Sequence, residues 1–344
     1  MPARARREIV DSDSLGYYHC YSRCVRLAFL CGNDPYSGKN YDHRKDWVEQ
    51  RLQVLACYMA VDVLATMIMD NHYHLVVWIR PELVEQWTDR EVARRWLRLC
   101  PGTRKERKTP PVVTDERIDQ LVADRKKLEK VRKRLSNLSW FMKFLNEFLA
   151  RKANAEEDVS GHFFEQRFRS ARLLDAFAIL SCVIYVELNP IRANVAKTPE
   201  TSRHASVFRR IQARQARRQH TTSSGNRARI RKDVVRTLEA AAWLAPVQLD
   251  AEPPDGLQAA RGRRASDLGF LEMSLDQFLS LIDWSGRQIR ADKRGAIPVE
   301  LDPILDRIDV DVEFWLTSVQ SFRQPGFPIW VEPGTDPDSQ LSRL

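Results

Sequence analysis

Residues 61–80 carry two apolar runs, Val61-Asp-Val-Leu-Ala-Thr-Met-Ile and His72-Tyr-His-Leu-Val-Val-Trp-Ile, separated by Met69-Asp70-Asn71. Two β-branched stretches around a short polar break have few options other than neighbouring strands joined by a turn. Upstream, Gly16-Tyr-Tyr-His-Cys-Tyr-Ser-Arg-Cys-Val-Arg mixes aromatic and polar residues as a strand covered on one face does. Residues 41–60 carry Trp47, Val48, Leu52, Leu55 and Ala56 at helical spacing. The chain therefore opens strand, helix, strand, strand.

Residues 81–136 are strongly charged and predict a helical insertion. Leu121, Leu128, Leu135, Met142 and Leu149 recur every seven residues, so a long helix or helix pair with one apolar seam is expected. That seam can dock on the domain or on a second copy, which makes a homodimer one expected arrangement. Trp140, Phe141, Phe144 and Phe148 fall on the apolar side of the same helix and read as core. Residues 161–170 predict another strand. Asp175 then offers an N-cap to a helix over 176–189, stopped by Pro190, which has no amide proton to donate.

Charge is distributed unevenly. The chain is net +9, yet residues 201–232 alone hold ten Arg or Lys and no Asp or Glu. Such a run, with Gly225, several Ser and Thr and little apolar periodicity, predicts a basic linker that either holds a polyanion or is simply a solvated, disordered connection. Residues 233–344 are net acidic, with helical patterns at 233–243 and 274–281 and an acidic block at 298–315. They predict an acidic, mostly helical C-terminal accessory region. The expected division is a catalytic domain at 1–200, the linker at 201–232 and the accessory domain at 233–344.

Hydrophobic residues make up 43% of the chain and charged residues 29%, the balance of a soluble globular protein. No stretch reaches the roughly 18 uninterrupted apolar residues of a membrane span, and the basic start has no apolar run behind it as a secretory signal would. A cytoplasmic protein with no membrane partner is expected. The six cysteines are scattered, a pattern that suits reduced thiols, and Cys20, Cys24 and Cys31 lack the spacing of a zinc knuckle.

In a strand, alternate side chains share a face, so His72 and His74 project together while Tyr73 and Leu75 turn to the core. Two neutral imidazoles on one face form half a metal site, though the same pattern also occurs in ordinary strands. On the 176–189 helix, Tyr185 and Asn189 stand at i and i+4 and face the same way, with Phe177, Leu180, Ile184 and Leu188 expected as the buried stripe. Taken alone, that helix also reads as a half-buried tyrosine followed by an asparagine that ends it.

Together with Tyr18-His-Cys-Tyr-Ser-Arg and Gly161-His-Phe-Phe-Glu-Gln-Arg-Phe, the motifs Asp70-Asn-His-Tyr-His-Leu-Val-Val and Tyr185-Val-Glu-Leu-Asn-Pro-Ile-Arg-Ala resemble the HUH superfamily of endonucleases. The resemblance is to its single-tyrosine transposases in particular, including the REP-associated tyrosine transposases, and it runs from about residue 17 to 195. It implies an α+β fold with a ferredoxin-like antiparallel sheet, the HUH nuclease fold. It also implies metal-dependent cleavage and rejoining of single-stranded or hairpin DNA in transposition or the mobilisation of repeat elements. Tyr185 is then the nucleophile, forming a 5′-phosphotyrosine intermediate, and His72, His74 and Asn189 hold Mg²⁺ or Mn²⁺. His19, Arg23, Gln166, Arg167 and Arg169 lie in strands expected near the site and are candidates for phosphate contacts. His162 and Glu165 are candidates for orienting groups around the metal.

Two other readings use the same residues. One is a catalytically inactive, domesticated DNA-hairpin-binding protein. The other is a phosphodiesterase that uses water, with Tyr185 structural.

Overall fold

The computed structural model describes residues 15–25, 31–34, 38–100, 112–222, 232–249, 263–288 and 293–307. Strand β1 (Gly16–Arg23), helix α1 (His43–Tyr58) and strands β2 (Val61–Ile68) and β3 (His72–Ile79) follow one another as the apolar patterns predict. Among the described residues, five helices intervene before β4 (Arg169–Leu173), namely α2 (Pro81–Gln86), α3 (Asp89–Leu99), α4 (Asp115–Ala123), α5 (Arg125–Leu135) and α6 (Leu138–Glu157). The sheet is antiparallel, in the order β2–β3–β1–β4. The protein is therefore α+β.

Period-two alternation gives the sheet two different faces. Tyr18 and Cys20 of β1 and Tyr73, Leu75, Val77 and Ile79 of β3 enter one apolar cluster with α1, the inserted helices and α6. On the opposite face, Leu64, Met67 and Val76 enter a second cluster with α7 (Ala176–Arg192). Polar β3 residues on that second face are left beyond the apolar packing.

The seven-residue seam is buried throughout, yet it does not form one helix. Leu121, Leu128 and Leu135, Met142 and Leu149 belong to α4, α5 and α6 in turn. Asp124 accepts the Lys127 N–H at 3.0 Å and Asn137 accepts the Trp140 N–H at 3.1 Å. Each begins a new helix as an N-cap, and the chain changes direction there. Because the seam packs in this chain's own core, it offers no face to a second copy. The basic side of α5 is also engaged in part, since Arg125 and Arg132 both pair with Asp89.

Three further expectations change. Residues 161–168 are largely irregular and β4 begins only at Arg169; Phe163 and Phe168 are both buried, an odd spacing that no strand keeps on one face. Helix α7 runs past Pro190 to Arg192, because a proline in the last turn forfeits a single hydrogen bond. Its buried stripe is Ile179, Val183, Val186, Glu187 and Ile191 together with Leu180 and Leu188, whereas Phe177 is 36% exposed. The Asp175 cap forms as expected, accepting from the Ala178 N–H at 2.7 Å.

The expected basic linker contains a packed helix, α8 (Ser206–Thr222). Val207 and Ile211 enter the second cluster, and Arg210 and Arg214 are buried despite their charge. Arg210 donates to the carbonyls of Leu64 and Ala245, Arg214 to Asp276, and Arg209 to Glu49. A cationic helix can be buried when partners for its guanidinium groups arrive from distant segments. Residues 223–231 of the expected linker lie outside the described residues. The same cluster takes in Val247, Phe270, Leu271, Phe278, Ile282 and Ile297. The boundaries expected at 200 and 232 therefore do not divide the core.

Downstream, the helices among the described residues are α9 (Lys232–Ala241), α10 (Leu275–Arg287) and α11 (Ile304–Arg307), with irregular segments between them. Ser274 and Gln277 form a reciprocal capping box at the start of α10. The acidic block beyond residue 307 lies outside the described residues. Among the described residues, no helix is long and apolar enough to cross a membrane.

Glu187 locks α7 to α8. Its carboxylate is buried and accepts from the Ser206 hydroxyl at 2.5 Å and the Val207 N–H at 2.8 Å. Burial pushes its pKa up to about 7, against the pull of Ser206, Arg210 and Val207. Glu187→Ala leaves a buried hydroxyl and a buried N–H without their acceptor, and Arg210 without an offsetting charge. The expected loss is about 3 kcal/mol of stability, with a smaller loss in Glu187→Gln. Thermal unfolding of the two variants measures this, and unchanged melting in Glu187→Ala would mean that the lock is not formed.

Candidate active site

The turn before β3 fixes where the histidines begin. Met69 N–H donates to the His72 carbonyl at 2.8 Å, and Lys45 pairs with Asp70 at 3.0 Å. Between the histidines, Tyr73 points into the opposite face and its hydroxyl donates to Asn146, whose amide donates to Ser22. This anchoring behind the strand holds His72 and His74 forward. Their ring centroids are 5.2 Å apart and nearly perpendicular, at 82°.

Opposite them stands the outer stripe of α7. Tyr185 is 46% exposed, and its ring meets those of His74 and His19 edge-on, with centroids 5.7 and 6.1 Å away. An open cavity of about 480 Å³ is lined by His72, His74, Tyr185 and Asn189, and also by His19 and Arg169. All four residues singled out in the sequence thus share one cavity, although more than a hundred positions separate the strand from the helix.

His19 is the residue that sequence reasoning left at the margin. On β1 it pairs in register with Val76, while Tyr21 pairs with His74. Its Nε2 lies 2.8 Å from His74 Nδ1, and the two rings stack. His72 Nδ1 lies 2.7 Å from the Asn71 side-chain oxygen, an acceptor, so Nδ1 carries the proton and Nε2 keeps its lone pair. For His74 to present Nε2 in the same way, its Nδ1–H donates to a His19 that is itself protonated on Nδ1. In those tautomers both neighbours fix the ring orientations and leave the two Nε2 lone pairs available, as groups behind a metal's ligands do.

Desolvation keeps all three imidazoles neutral at neutral pH. Burial lowers His19 and His72 to about 4, with Arg23 adding to the effect at His72. Burial, with His19 and His72 beside it, lowers His74 to about 3. Neutral imidazole is the form that binds metal. Two Nε2 donors, the Asn189 amide on the cavity wall and an open mouth fit a divalent cation that retains free positions, and nitrogen donors favour Mn²⁺ over Mg²⁺.

The other candidates divide. Arg169 lines the cavity, and Arg23 lies opposite His72 in the ladder, paired at 3.8 Å with Glu165. Gln166, Arg167 and His162 do not line it. A second group, Asp46, Glu49 and His204, brings three ligand atoms within 4.8 Å of one another. Both Glu49 oxygens already accept from Arg209, so this cluster is part of the docking of α8 onto α1.

The chain was compared with known family models, curated proteins and solved structures, and it matches none of them.

Proposed function

We propose that the protein is an HUH-type, single-tyrosine transposase that cuts and rejoins single-stranded DNA through a 5′-phosphotyrosine, with Tyr185 as nucleophile and His72, His74 and Asn189 as ligands of Mg²⁺ or Mn²⁺. The observation that carries this reading is the convergence of these four residues on one open cavity. The order β2–β3–β1–β4, with helical connections after β1 and β3, is also that of a ferredoxin-like sheet.

The Tyr185 oxygen attacks the scissile phosphorus and loses its proton as the P–O bond to Tyr185 forms and the P–O3′ bond breaks. The departing 3′-oxygen takes up a proton and becomes a hydroxyl. A phenol, with an ordinary pKa near 10, needs a polarised phosphorus to react at neutral pH. A divalent cation supplies that polarisation when bound, by drawing charge from a non-bridging oxygen. Arg169 on the cavity wall adds positive charge for the phosphate, and the histidine edges against Tyr185 restrict how its ring turns. Reversal with another 3′-hydroxyl rejoins DNA without a separate energy source.

The test is strand-specific labelling. Incubation with single-stranded oligonucleotides and Mn²⁺ is expected to give a denaturation-resistant adduct that carries a 3′-end label but not a 5′-end label. Cleavage without any adduct would replace this reading with hydrolysis by water.

A further inference from the structure

Tyr185 and Asn189 belong to two cavities. On their other side lies one of about 430 Å³, with Ile184 and Leu188 as an apolar wall and Lys293 and Arg294 as a cationic rim. The rim comes from the C-terminal region, well beyond the motifs that define the candidate active site.

The juxtaposition is closely built. Arg192, at the end of α7, donates to the carbonyls of Ser285 and Gln288 at 2.6 and 2.5 Å, and Arg294 N–H donates to the Arg192 carbonyl at 3.1 Å. At Gly295 an added Cβ would lie 2.3 Å from the Ile191 carbonyl oxygen, so only glycine permits this approach. At Gly286 an added Cβ would lie 2.5 Å from Ile297 and 3.0 Å from Leu188. Close packing thus holds the rim against the tyrosine helix.

A volume of this size lies within the ~300–1,000 Å³ of ordinary small-ligand sites. An apolar wall with a cationic rim suits the two parts of a nucleotide, base and phosphate. Tyr185 stands where the two cavities meet, so a strand reacting at its hydroxyl would continue from one into the other. We infer that the second cavity holds the nucleotide next to the scissile phosphate on the flank that does not lie over the histidines, making the C-terminal region part of the DNA-binding site. The inference rests on the reading of Tyr185 proposed above.

The test uses the full-length chain carrying Tyr185→Phe, which prevents turnover, and a fluorescent mixed-sequence single-stranded 20-mer titrated at several salt concentrations. Adding Lys293→Ala and Arg294→Ala together is expected to weaken binding about tenfold and to reduce the slope of log affinity against log salt by about 1.4, two contacts at about 0.7 each. A separate Ser181→Phe change, which fills the cavity from α7 without altering charge, is expected to weaken binding with the slope unchanged. If both variants bind with the parent's affinity and slope while the wild type still forms its covalent adduct, the second cavity is not a nucleotide site and the reading of Tyr185 stands. Absence of an adduct in the wild type overturns that reading and this inference with it.

Discussion

Tyr185→Phe is expected to reduce formation of the covalent protein–DNA adduct by at least about 10³-fold, to below detection. The substitution removes one oxygen atom from an exposed side chain whose ring contacts with His19 and His74 do not depend on the hydroxyl. Stability should therefore stay within about 0.5 kcal/mol of the parent, and Mn²⁺ binding should be unchanged. Gel separation of labelled adducts, with thermal melting as a control, measures both halves. An adduct that persists in the variant would move the nucleophile to another residue.

His74→Ala is expected to abolish both activity and measurable Mn²⁺ binding, and His72→Ala to do the same, because each removes one of the two imidazole Nε2 donors of the proposed site. His19→Ala separates ligation from orientation. It leaves both donors in place but removes the partner of His74 Nδ1, so Mn²⁺ affinity should fall by about 10- to 100-fold and not vanish. Calorimetric titration with Mn²⁺ on Tyr185→Phe protein reads these affinities without turnover. Full adduct formation by the wild type in excess chelator would remove the metal from the proposal. Equal Mn²⁺ affinity in His19→Ala and the parent would reduce His19 to a packing residue.

The tyrosine and asparagine at i and i+4, and the two histidines at i and i+2, can be read from helical and strand periodicity alone. Meeting in one cavity is another matter: it requires α7 to cross the sheet on the histidine face, and no local pattern specifies that crossing. The family resemblance supplied that expectation, and in the structure the four side chains line one cavity. His19 shows the limit more sharply. Its alternation on β1 was legible, but its 2.8 Å contact with His74 depends on the register between β1 and β3, and a shift of one residue would turn it to the opposite face.

The sequence by itself determined the parts whose causes are local. Alternation made β2 and β3, the Asp175 and Ser274 caps started their helices, and the period of two put His72 and His74 on one face. Tertiary structure decided everything that depends on partners from elsewhere in the chain. The seven-residue seam became three helices buried in this chain's own apolar core. Part of the basic segment became the packed helix α8 because carbonyls of Leu64 and Ala245 accept from Arg210, and the carboxylates of Glu49 and Asp276 accept from Arg209 and Arg214. Val247, Phe270, Phe278 and Ile297 of the C-terminal region joined the second core, and Arg294 met the tyrosine helix, for the same reason. A charge run records the cost of desolvation but not the acceptors that offset it, and those acceptors are fixed only when distant segments meet.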